Sequence, residues 1–342
     1  MASISVKQIF TKATILGAGS DRLSLSESQI FCLLQISIHD LGWPYNEIGL
    51  PTNIEIPDTD YYKIPLEWFE SFNDVPSMKE LLEAFQLALN RDEDFGLYFS
   101  NLCSLHKRRL KYQIILSTQP KPTMDQIGPR GLLEYGINNK TLLSNWITWR
   151  KWIFDIDNRS GQETGYLFEP ILASCLGGEP IGSTKSPVKR ISSDRSQSDG
   201  ARQIDCYVAD DNSAYEFKLR VTIAASGQGR FAEELSYPKE CRAAGLKPVL
   251  LVLDPTPSDR LAELKKAFID SQGEVYIGNE AWGHIENKAG QIITVFIEKY
   301  LKVPLLDIAT SEPTYPSEIN LAWTSESITI SDGAAEYKIK RK

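Results

Sequence analysis

Asp205, Glu216 and Lys218 are the residues of this chain whose types and spacing best suit chemistry. Residues 201–222 read as two short strands, 203–209 and 214–222, joined by a polar turn at Asp210 to Ser213. Side chains alternate faces along a strand, so Glu216 and Lys218 point one way and Phe217 and Leu219 the other. A turn centred on Asp211 and Asn212 sets Asp205 opposite Lys218 and Tyr207 opposite Glu216, and cross-strand partners share a face. Two carboxylates and an ammonium then converge on one side of one hairpin. Hard carboxylate oxygens hold Mg²⁺, which keeps most of its waters and accepts phosphate oxygens as further ligands. The ion lowers the pKa of a bound water, and a nearby lysine orients that water or offsets developing charge. The grouping suits hydrolysis of a phosphodiester. Its bland counterpart is an exposed cross-strand ion pair.

A Glu-x-Lys pair alone says little, since it also occurs at Glu263, Glu286 and Glu336. Glu263 falls in an amphipathic helical stretch, Glu286 in a polar turn, and Glu336 on a strand-like tail with Asp332 too close for a two-strand arrangement. Only Glu216 has an apolar strand around it and an Asp at hairpin distance.

The elements that must position this hairpin are legible on both sides. Residues 163–176 read as a helix ending at Gly177 and Gly178. Residues 182–203 hold Lys185, Lys189, Arg190, Arg195 and Arg202 among serines, a basic loop suited to gripping phosphates or else a surface loop. After the hairpin, Gly227 and Gly229 turn the chain into a helix on which Phe231, Leu235 and Ala243 pack inward and Pro238 introduces a kink or a split. Pro248 to Leu253 is apolar on both faces, the mark of a central buried strand. A helix over Asp259 to Asp270 and a strand over Glu274 to Ile277 follow.

Ile204-Asp205, a gap of ten residues, then Glu216-Phe217-Lys218 resembles the PD-(D/E)XK nuclease superfamily, home of many type II restriction endonucleases. The order helix, strand, strand, helix, strand over roughly 163–280 matches that superfamily's core, and Ser226 to Pro255 resembles its ApaLI-like branch. Ile204 stands where the family often has Pro. The resemblance implies that Asp205 and Glu216 bind metal and that Lys218 assists the nucleophile. It implies a helper glutamate on the preceding helix, for which Glu169 fits best and Glu163 next, although Pro170 disfavours helical geometry at 169. It also implies a polar residue near the site on the following helix, making Gln228 and Arg230 candidates.

The chain has 342 residues, 42% hydrophobic and 24% charged, as ordinary globular proteins do. No stretch approaches the ~20 apolar residues of a membrane span, and the N-terminus lacks the regions of a signal peptide. Five scattered cysteines without metal spacing suggest reduced thiols in a cytoplasmic protein. A net charge of −8 argues against a generally sticky nucleic-acid binder but not against a locally basic cleft.

Residues 1–155 read as a mainly helical region, a candidate DNA-recognition arm. Gln29 to Leu41 is a buried helix, 43–66 a proline-rich connector, and Ser77 caps a helix to about Asn90. His39, His106 and His284 lie far apart and read as structural or surface residues. The run 106–111 either touches phosphates or is a solvated helix face, and Arg130, at a Gly/Pro turn before a helix, either contacts an anion or merely starts the helix. Three tryptophans in 143–154 read as a buried helix joining the halves, or else a base-stacking surface. The polar stretch 155–162 marks a boundary, with a nuclease core over 156–304 and a β-rich tail over 305–342.

The expected fold is therefore α/β: a mixed central sheet flanked by helices, with a helical N-terminal region and a short β-rich tail. The expected function is Mg²⁺-dependent, site-specific cleavage of double-stranded DNA by a homodimer, with a companion DNA methyltransferase implied by the resemblance. Two rivals stay open: a structure-specific repair or recombination nuclease on the same core, and a non-catalytic DNA-binding protein.

Overall fold

The computed structural model describes residues 5–16, 23–51, 54–135, 140–191, 200–218, 228–310, 319–332 and 334–341; the side chains of 16, 135, 162–167, 228–230 and 309 lie outside that description. Helices dominate the N-terminal half: α1 (Val6–Thr14), α2 (Glu27–Asp40), α3 (Met78–Arg91), α4 (Phe95–Thr118), α5 (Met124–Tyr135) and α6 (Lys140–Cys175). A two-stranded ribbon of β1 (Ile15–Leu16) and β2 (Leu23–Ser24) joins α1 to α2. Ser5, Ser26 and Ser77 each cap a helix in a capping box with the Gln or Glu three residues on, satisfying first-turn N–H groups that would otherwise lack partners. α2 is buried along nearly its whole length, which is why its sequence is apolar all round.

The central sheet has five strands: β3 (Glu179–Ile181), β4 (Ile204–Val208), β5 (Ser213–Lys218), β6 (Lys247–Val252) and β7 (Glu274–Ile277), side by side in that order. β3, β4 and β5 run antiparallel; β6 and β7 are parallel to β5. The parallel steps need crossover helices, and α7 (Gln228–Ala243) and α8 (Asp259–Asp270) supply them. One sheet face (Cys206, Val208, Tyr215, Phe217, Val249, Leu251) joins the core of the N-terminal helices and of α9 (Asn279–Lys288) and α10 (Gln291–Ile297). The other (Ala214, Leu250, Val252) packs on α7 and α8. The chain continues from α10 through a π-helical turn, Glu298–Lys302, into α11 (Val303–Ala309). β8 (Asn320–Trp323), β9 (Ser327–Ser331) and β10 (Glu336–Lys340) form a separate antiparallel sheet whose Trp323 and Ile328 meet Trp149 and Trp152.

Several expectations change. The turn of the central hairpin is Ala209 to Asn212, so Val208 pairs with Ser213 and Tyr207 with Ala214, not with Glu216. Asn212 sits at φ 53 with its side chain tied to Tyr207 and the Gly245 carbonyl, and this left-handed corner closes the turn two places early in register. Residues 155–162 lie within α6, which runs from Lys140 through Pro170 to Cys175. Arg130 lies inside α5 rather than at a turn, and Glu286 and Lys288 lie on α9, whose Trp282 and Ile285 are buried. The 106–111 run is neither a solvated face nor a free basic patch in its first half. Lys107 donates to the Ala13 carbonyl, and Arg109 donates to the Tyr61 and Ile64 carbonyls and stacks on Tyr61, joining α4 to the connector. α7 passes through Pro238 as one helix, and its buried face is Tyr237, Pro238 and Cys241, while Ala243 is exposed. Of the three tryptophans, Trp152 is buried, whereas Trp146 is 52% exposed.

Candidate active site

β4 alternates buried and half-buried residues, which turns Cys206 and Val208 away from Asp205 and Tyr207. β5 does the same at its C-terminal end, presenting Glu216 and Lys218 on one side and Phe217 on the other. Continued one step, the observed register sets Asp205 across from Glu216. A register error of two residues leaves every side chain on its face, so the three groups still meet although the expected partners differ.

Asp205 is fastened to the neighbouring strand, its Oδ2 accepting the Phe217 backbone N–H at 3.0 Å. Burial, then the charges of Glu216 and Glu169, push its pKa well above the usual carboxylate range. Burial and Glu216 push Glu169 up as well, against the pull of Lys218. Burial works to strip the proton from Lys218, but Glu216 and then Glu234 reverse this and the net pKa is raised, so the side chain is an ammonium. Its Nζ is 2.8 Å from Glu216 Oε1 and 3.2 Å from Glu234 Oε1. These groups line one cleft of about 490 Å³, with Asp205, Glu216, Lys218 and Glu169 joined by Glu234 and Tyr237 from α7. Glu169 comes from α6, Asp205 from β4, and Glu216 and Lys218 from β5.

The other candidates divide. Arg190 and Arg202 line the cleft. Arg202 is held tightly, its Nε 2.6 Å from Oε2 of the buried Glu240, while Arg190 pairs with Glu233 at 3.1 Å. Lys185 and Lys189 are exposed on the same loop but do not line the cleft, and Arg130 pairs with Glu134 on α5, far along α6 from Glu169. Arg195 lies outside the described residues; Gln228 and Arg230 are in the first turn of α7, and their side chains are outside the description. Glu234 was not foreseen from the sequence. Phe231 and Leu235 pack inward as expected, and Glu234, three residues after Phe231, shares the side of α7 that carries Tyr237 and Cys241. The available signal was a carboxylate at helical spacing from Tyr237 and Cys241.

Among the described residues no group of three or more His, Cys, Asp or Glu side chains is placed to hold a metal ion by itself. The cleft is instead open, acidic at its floor and cationic at Lys218, Arg190 and Arg202, an arrangement that can hold a hard cation against a phosphate.

A mixed sheet carrying acid, acid and lysine at one end of a cleft with arginines at its rim is the equipment of an enzyme that cuts nucleic acid. The model of the ApaLI-like restriction endonucleases matches residues 54–302, and the chain belongs to that family, whose members are type II restriction endonucleases. The type II restriction enzyme ApaLI of Acetobacter pasteurianus is 45% identical over 260 residues, covering 75% of this chain and 68% of that protein. No solved structure matches the chain.

Proposed function

We propose that this restriction endonuclease hydrolyses double-stranded DNA with Mg²⁺ on a PD-(D/E)XK core. The observation that carries the reading is that Asp205, Glu216 and Lys218, three letters on two strands, line one cleft together with Glu169. The antiparallel β3–β4–β5 followed by parallel β6 and β7 supports the same core. The donor set fits the ion: hard oxygens on Asp205 and Glu216, on a floor where crowded negative charge already raises Asp205. When bound, Mg²⁺ supplies a water of lowered pKa and offsets charge on the phosphate.

The chain's own groups do the rest. Asp205 and Glu216 hold the ion, and the Phe217 N–H keeps Asp205 turned toward it. Lys218 stabilises charge that develops on the phosphate or orients the attacking water. Glu169, partly buried beside them, assists. Arg190 and Arg202 meet the DNA backbone at the rim, and Lys185, Lys189, Arg195, Gln228 and Arg230 extend that contact along the loop and the start of α7. The helical region 1–155, with Arg130, acts as the recognition arm.

Cutting both strands of a palindrome calls for two sites related by a two-fold axis, so the working form is a homodimer. A companion DNA methyltransferase follows from the restriction role. The cysteines, all free and buried, fit a reducing cytoplasm.

Plasmid cleavage with Mg²⁺, against EDTA and a Lys218→Ala variant, tests the reading. Discrete bands that vanish in both controls support it. Nicking or a smear would favour a structure-specific nuclease, and binding without cleavage would remove the catalytic assignment.

A further inference from the structure

Glu234 stands half-buried on α7 in the cleft wall and was not among the residues the sequence singled out. Its Oε1 lies 3.2 Å from Lys218 Nζ, and its Oε2 is buried without a hydrogen-bond partner. Lys218 is the cation paired with it among the described residues. A carboxylate with one oxygen left unsatisfied is costly to keep, and such groups persist where function rather than stability selects them. Neighbouring Glu233 differs: it is bonded to Arg190 and Arg202 at the cleft rim.

Lys218 has two carboxylate partners on different elements: Glu216 two residues before it on β5, and Glu234 on α7. The proposed function gives Glu216 a second task, holding the ion, and a carboxylate whose oxygens face a cation holds an ammonium less firmly. Glu234 has no such second task. We propose that Glu234 is the positioning residue for Lys218, holding its ammonium over the cleft when Glu216 is engaged elsewhere. The inference rests on the reading that Lys218 serves the reaction. It assigns α7 a share in the site, so that the crossover helix between β5 and β6 fixes the lysine's height above the sheet.

The test compares Glu234→Gln and Glu234→Asp with the wild-type chain. Glu234→Gln keeps the shape and loses the charge; its single-turnover cleavage rate falls by about 10²-fold, the scale of a small misplacement of a reacting group. Its DNA affinity and the Mg²⁺ concentration for half-maximal rate stay unchanged. Glu234→Asp keeps the charge and falls between the two. Full activity in Glu234→Gln overturns the proposal. So does a rate restored by raising Mg²⁺, which would make Glu234 a metal ligand.

A metal-free readout stands beside these. Urea unfolding of wild type, Glu234→Gln, Lys218→Met and the double variant forms a cycle. Glu234→Gln lowers the midpoint less in the Lys218→Met background, or raises it, because there the carboxylate has lost the ammonium it pairs with. Equal effects in both backgrounds overturn the proposal. Should Glu234→Gln not fold, Glu234→Asp and its cycle decide. A wild-type chain that fails to cut DNA removes the functional reading, whereas a cutting wild type with an indifferent Glu234→Gln removes this inference alone.

Discussion

The Asp205 carboxylate accepts the Phe217 backbone N–H at 3.0 Å, so an acid on β4 is locked to β5 at the residue between Glu216 and Lys218. An amide oxygen accepts that bond equally well. Asp205→Asn should therefore keep the hairpin and relieve a buried carboxylate crowded by Glu216 and Glu169. Its urea midpoint is expected at or above the wild-type value, while plasmid cleavage falls about 10³-fold. A parallel loss of both would mean that Asp205 is structural.

Arg190 and Arg202 were drawn from one basic loop, yet the fold separates them. Arg202 neutralises Glu240, whose side chain is 1% exposed. Arg202→Ala leaves that charge buried and should cost about 3 kcal/mol or more in urea unfolding. Arg190 is half exposed and shares Glu233, so Arg190→Ala should leave stability nearly unchanged. It should weaken DNA binding and reduce the slope of log affinity against log salt by about one, read from titrations at several salt concentrations.

Gly178 lies where β3 leaves α6. A Cβ there would meet Cys206 Sγ at 2.5 Å and the Tyr207 carbonyl at 2.7 Å, the two neighbours that follow Asp205 on β4. Gly178→Ala must push β4 aside and is expected to cost about 1–3 kcal/mol. Because the displaced strand carries Asp205, cleavage should fall further than the lost stability explains, as measured below the unfolding transition.

His106 is buried between Tyr61 and Phe69, with Nδ1 3.1 Å from the Tyr61 hydroxyl and Nε2 without a partner. Burial, and next the Arg109 charge, push its pKa down from 6.5 to about 3. The unfolded chain therefore takes up a proton that the fold refuses. The contribution is fully present above pH 6.5 and is lost as pH falls toward about 3. The slope is about 1.4 kcal/mol per pH unit below the unfolded pKa. Urea midpoints of wild type should drop faster between about pH 7 and about pH 5 than those of His106→Gln, which has no proton to refuse. Parallel lines for the two proteins would show that His106 is charged in the fold.

Much of the core was legible because its signals are local. Period two set Glu216 and Lys218 on one face, with Asp205 joining them in any register shifted by an even number of residues, and the run Pro248 to Leu253 announced a strand buried on both sides. The α8 boundaries, Asp259–Asp270, and the cap at Ser77 were written in side chains that satisfy their own helix ends. Reduced, unpaired cysteines also agree with the fold, in which all five are free and buried.

What sequence by itself determined is the set of groups and the strands that carry them, since alternation and capping are properties of neighbours along the chain. Tertiary structure decided which distant groups join them. Phe231 and Leu235 pack against the core on this side of the sheet as their pattern suggests, but only the docking of α7 on the sheet brings Glu234, on the same side of the helix, to Lys218. Whether a cation is free or spent depends on partners far off in sequence: Lys107 on the Ala13 carbonyl, Arg202 on Glu240. Charge is visible in a sequence, but its availability is set by burial and by the opposite charge that folding places beside it.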